Sequence, residues 1–130
     1  IVFDEPQTLN SSILKGNLVD DKTVNVLKDG TVFPLKYEYF AVDALVFKNV
    51  KFNKVLLVKS DGSRKVTVEF PKHDYFLLWT KPKAGYICLE PWCGIPDGVG
   101  AGSDITRKEG ITALAPGKVY IAQHNIIFEK

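Results

Sequence analysis

The chain has 130 residues, 45% hydrophobic and 25% charged, with a formal net charge of +2. These values exclude a disordered tail, a collagen-like repeat and a coiled coil. They fit a single domain over residues 1–130, large enough to bury roughly two-thirds of the surface its unfolded chain exposes. The basic residues are nearly all lysines scattered singly, without the basic stripe and interleaved aromatics of a nucleic-acid binder. No run approaches the ~18 apolar residues of a membrane helix. No charged segment precedes a short apolar one, as it would in a secretory signal.

In chain order, residues 8–14 fit either a helix or a strand. Residues 23–35 form a candidate hairpin turning at Asp29-Gly30, and residues 36–42 a short turn or helix. The clearest element is residues 54–70. Val55-Leu56-Leu57-Val58 and Val66-Thr67-Val68-Glu69-Phe70 flank Ser60-Asp61-Gly62-Ser63, and Val66, Val68 and Phe70 alternate with Lys65, Thr67 and Glu69. An Asp-Gly between two such runs predicts a hairpin. Further strands are expected at residues 75–79, 86–90 and 119–128. The last is apolar on both faces, which predicts a strand buried on both sides. Many short strands joined by Gly, Pro, Asn and Asp turns predict an all-β fold, an antiparallel sandwich or barrel. Residues 92–110 are irregular and hold Gly94, Gly98, Gly100, Gly102 and Gly110. A loop of that length in a compact domain is functional or disordered, and its glycines match neither a P-loop nor a dinucleotide fingerprint.

Two acids stand out. Glu90 ends the apolar run Tyr86-Ile87-Cys88-Leu89 and is followed by Pro91 and Trp92. A carboxylate there is partly desolvated, and is then either a strengthened base or satisfied by loop amides. Asp43 interrupts Phe40-Ala41-Val42-Asp43-Ala44-Leu45-Val46-Phe47. An acid in such a run is costly to bury alone, so it either caps a turn or binds something polar. His73 is expected in a solvated turn and His124 as a structural residue of the last strand. The histidines lack metal-ligand spacing, and no metal site or cofactor is expected. Cys88 and Cys93 fit neither a redox CxxC nor a zinc site, which favours a reduced, cytoplasmic setting.

The stretch Tyr86-Ile87-Cys88-Leu89-Glu90-Pro91-Trp92-Cys93-Gly94-Ile95-Pro96-Asp97 resembles the signature of the aldose 1-epimerase (galactose mutarotase) family. So do Lys108-Glu109-Gly110-Ile111, Leu114-Ala115-Pro116-Gly117 with the closing strand, and Val42-Asp43-Ala44-Leu45-Val46-Phe47-Lys48-Asn49. The resemblance covers about residues 35–130 and implies a β-supersandwich that interconverts the α and β anomers of a hexose without a cofactor. It implies that Glu90 is the base that takes the anomeric hydroxyl proton and that Asp43 binds sugar hydroxyls. The family's acid, a His, and its sugar-gripping Arg lie in a first half that this chain lacks. The chain starts at Ile1 and has no methionine. It is therefore expected to be the C-terminal half of such a sandwich, inactive alone, and to associate with the missing half or with a second copy. A non-catalytic carbohydrate-binding sandwich, with Trp79, Tyr86 and Trp92 as sugar contacts, and an immunoglobulin-like interaction domain are the alternatives.

Overall fold

A computed structural model describes residues 1–129. The chain is all-β and antiparallel, as expected. Its strands are β1 (Val2–Lys15), β2 (Leu18–Val32), β3 (Leu45–Lys48), β4 (Lys54–Val58), β5 (Lys65–Glu69), β6 (Tyr75–Trp79), β7 (Cys88–Trp92) and β8 (Asn125–Glu129). Single turns of 3-10 helix lie at Tyr37–Phe40 and Ile105–Arg107. The strands form one sheet in the order β7-β6-β3-β1-β4-β5-β8, and β2 pairs β1. The branch follows from length. β1 pairs β4 at Val2, β3 at Ser11 and Ser12, and β2 at positions from Val2 to Lys15. Among the described residues no helix is long and apolar enough to cross a membrane.

Strand alternation sends the two sets of side chains to opposite faces. Leu45, Leu78 and Leu89 stand in one register row, and Val55, Val68 and Ile126 in another. The inner face is paved with aromatics. The Phe70 and Phe76 rings stack at 5.1 Å, and Phe52 meets both edge-on. Phe33 and Phe70 are fully buried. Truncating such a side chain to Ala costs about 3–5 kcal/mol. A largely apolar cavity of about 580 Å³ is lined by Leu35, Phe40, Leu57 and Ile87 among others.

The 54–70 hairpin forms in the expected register, with Leu56 opposite Thr67. Gly62 takes φ +71, and Asp61 Oδ1 accepts hydrogen bonds from the Ser63 amide (2.9 Å) and hydroxyl (2.6 Å). The 23–35 hairpin does not form. Residues 18–32 are one strand whose turn lies before it, at Gly16, with φ +61. Asp29 and Gly30 instead sit near a register shift against β1, where Thr8 Oγ1 accepts the Asp29 amide (3.1 Å). A β-bulge uses the same turn-prone residues as a hairpin, so the local signal did not separate the two.

The expected strand at 119–128 is shorter and is not buried. Only Asn125–Glu129 pair, with β5, and all five residues are exposed. β8 ends the sheet order, so just one of its edges is bonded. Val119 and Phe128 are 81% and 79% exposed. An apolar pattern reports what a segment could bury, not whether a partner covers it.

Candidate functional site

Glu90 lies in the middle of β7, not at its end, and is half-buried. Register places it opposite Leu77 of β6, which is opposite Val46 of β3. Two residues along, Trp92 is opposite Tyr75, which is opposite Lys48; the other way, Cys88 is opposite Trp79. Directly opposed residues of an antiparallel pair share a face. Glu90 therefore shares the outer face of the sheet with Val46, Lys48, Tyr75, Leu77, Trp79, Cys88 and Trp92. Among the described residues its carboxylate has neither a hydrogen bond nor an ion pair.

The glycine-rich segment 93–110 is an ordered strap across part of this face. Its Ile95 is buried with Val19, Val46, Tyr75 and Leu77, and Trp92 packs against them. The strap reaches β2, where the Val19 amide donates to the Asp97 carbonyl (2.9 Å) and the Val99 amide to the Val19 carbonyl (2.9 Å). Lys108 pairs with Asp97. At its far end Glu109 Oε2 pairs with Lys48 Nζ (2.7 Å), and the Tyr75 hydroxyl lies 3.5 Å from Glu109 Oε1. Burial, then the negative charges of Glu109 and Asp74, hold the Tyr75 phenol above its ordinary pKa.

Asp43 is exposed, in the bend before β3, where its Oδ1 accepts the Ala44 amide (2.7 Å). It lines a cavity of about 270 Å³ together with Ser11, Ser12, Tyr39, Val42 and Leu45. Glu90 is not among that cavity's lining residues. The two acids stand at opposite sides of β6, two strands apart, and the structure does not gather them in one pocket.

His73 is not solvated. It is 7% exposed, and its Nδ1 lies 3.0 Å from the Pro71 carbonyl and 3.2 Å from that of Phe70. Two carbonyl acceptors at one ring nitrogen require that nitrogen to carry a proton. Its neighbours Pro71, Lys72 and Asp74 are exposed, so the local sequence did not mark His73 for burial. His124 lies just before β8, exposed, with its ring centroid 6.4 Å from that of His73. Among the described residues no group of three or more His, Cys, Asp or Glu side chains could hold a metal ion. The thiols of Cys88 and Cys93 are free.

The chain is similar to two proteins of Lactococcus lactis subsp. lactis, the chromosomal and the plasmid Protein LacX. Each is 29% identical over 83 residues, a stretch that covers 63% of this chain and 28% of the relative. The match thus spans less than a third of the relatives' length. No protein-family model matches the chain, and no solved structure matches it significantly.

Proposed function

We propose that the protein to which this chain belongs is an aldose 1-epimerase that interconverts the α and β anomers of a hexose, with Glu90 as its base. The carrying observation is the Glu90 carboxylate itself. It is half-buried within the Glu-Pro-Trp strand and engaged by no other side chain among the described residues. Engaged by no other described side chain, the carboxylate is free to accept a hydrogen bond from a ligand hydroxyl. In the reaction the base takes the proton of the anomeric hydroxyl while an acid protonates the ring oxygen. The bond from C1 to the ring oxygen breaks and C1 becomes a carbonyl carbon. Rotation about C1–C2 and the reverse steps yield the other anomer. General acid–base assistance contributes ~10²–10⁴-fold per group.

In this reading no cofactor takes part. By the family resemblance, the acid is contributed by polypeptide outside this chain. The free thiols of Cys88 and Cys93 fit a reduced, cytoplasmic compartment. The test is polarimetry of α-glucose and α-galactose. The 130-residue chain alone is expected to leave the spontaneous rate unchanged. A near-enzymatic rate, abolished by Glu90→Gln, would show that the acid lies within the chain. In the complete protein Glu90→Gln is expected to remove the activity, and full activity of that variant would refute the assignment of the base.

A further inference from the structure

Trp79 is the last residue of β6 and stands opposite Cys88, while Leu77, two residues earlier, stands opposite Glu90. Trp79 and Glu90 are therefore diagonal neighbours on one face. In an antiparallel pair such neighbours lie ~7–8 Å apart, within reach of an aromatic side chain. Trp79 belongs to neither of the two hydrophobic clusters of the chain. Its aromatic neighbour is Tyr86, at 6.0 Å between ring centroids and an interplanar angle of 51°. Tyr86 is 50% exposed.

The backbone that carries Tyr86 is hydrogen-bonded. The Thr80 hydroxyl donates to the Tyr86 carbonyl (2.6 Å), and the Tyr37 hydroxyl donates to the Ala84 carbonyl (2.6 Å). The backbone between β6 and β7 is thus tethered at Ala84 and at Tyr86. On the other side of Glu90 the face is closed. Tyr75 is buried there and the strap is latched by Glu109. Approach to Glu90 along the outer face is therefore from the Trp79 side.

A half-exposed aromatic pair beside an unpartnered carboxylate suits a ligand with a flat apolar face and a rim of hydroxyls, because Trp and Tyr offer large apolar surface at little conformational cost. A pyranose has that shape. We infer that Trp79, flanked by Tyr86, is the platform on which the C–H face of a pyranose stacks, setting its anomeric hydroxyl against Glu90. The inference rests on the reading of Glu90 as a sugar base and adds the residue that positions the ring.

The test uses methyl β-D-galactopyranoside, whose anomeric oxygen is blocked, so that binding is read without turnover. Saturation-transfer NMR and titration are run on the chain and on Trp79→Ala, Trp79→Phe and Tyr86→Ala, each checked by thermal melting. Irradiating aromatic protons is expected to saturate the sugar ring protons. Trp79→Ala is expected to weaken binding about tenfold, the equivalent of ~1.4 kcal/mol, and Trp79→Phe by no more than about threefold, since an aromatic face is retained. A melting-competent Trp79→Ala that binds as tightly as the parent overturns the platform but leaves Glu90 untouched. Should Trp79→Ala not fold, Trp79→Phe and Tyr86→Ala decide, and transfer to the sugar undiminished in both overturns it. A parent chain that does not bind the glycoside at all overturns the platform and the sugar reading of this face together.

Discussion

The phenol ring of Tyr75 occupies the space into which a β-carbon on Gly110 would project. An added carbon would meet Tyr75 Cε2 and the hydroxyl oxygen at 2.9 Å and Gly94 Cα at 3.1 Å, and Gly110 itself is at φ +72. Two glycines of the strap and a buried tyrosine thus touch where the strap closes over the sheet. Left-handed backbone costs a non-glycine residue about 1–3 kcal/mol, and overpacking adds about 1–3 kcal/mol. Gly110→Ala should destabilise the fold by roughly 2–6 kcal/mol in urea unfolding. A loss under ~0.5 kcal/mol, the scale of an ordinary surface substitution, would mean that the strap does not close against Tyr75.

Tyr75 also yields a pH prediction. Burial is the first cause of its raised pKa and the charge of Glu109 the second. Glu109→Gln should therefore lower the tyrosinate midpoint while leaving it above the ordinary value of 10.0. Because the folded pKa exceeds the unfolded one, the stabilisation is fully present below pH 10 and is lost as pH rises through the folded value. Ultraviolet titration of tyrosinate, paired with urea melts at alkaline pH, reads both effects. A midpoint unmoved by Glu109→Gln would remove Glu109 from the contact.

At the tip of the β4–β5 hairpin, the Lys59 ammonium and the Ser63 hydroxyl and amide bring the Asp61 carboxyl down to about 2. The folded pKa lies below the ordinary value of 3.8. Its contribution is present above that value and is lost as pH falls toward 2. Carboxyl NMR should place the Asp61 midpoint near 2, and Lys59→Gln should raise it. A midpoint at the ordinary value would mean that the turn is open in solution.

Ile126 and Phe128 continue the inner face beyond Val68 and Val66, yet are 55% and 79% exposed. With Val119 and Ile121 they leave an apolar surface beside an unpaired strand edge, a combination that favours association. The isolated chain should exceed the monomer mass in light scattering. Phe128→Ser combined with Ile126→Ser should shift it toward monomer, and a monodisperse parent monomer would refute the expectation.

Much of this architecture was legible locally. The alternation of Val66, Val68 and Phe70 around Asp61-Gly62 determined a hairpin and its faces, because a period of two and a left-handed turn residue are properties of adjacent residues. The unusual position of Glu90 was legible too, as a lone acid in an apolar run. Asp29-Gly30 misled because a bulge and a turn make the same local demand. His73 misled because its surroundings include the distant His124, whose ring centroid lies 6.4 Å away, as well as the nearby Phe70.

By itself the sequence determined an antiparallel all-β chain, the hairpin at 54–70, a strand leading into Glu90 and the two acids to watch. Tertiary structure alone decided that Glu90 and Trp79 share a face, that Asp43 lies two strands away from Glu90, and that the glycine-rich segment folds back as a strap. It also decided that the last strand is an uncovered edge. The physical reason is range. Periodicity and turn chemistry act over a few residues, whereas pairing partners and coverage depend on contacts such as Lys48 with Glu109, 61 residues apart in the chain.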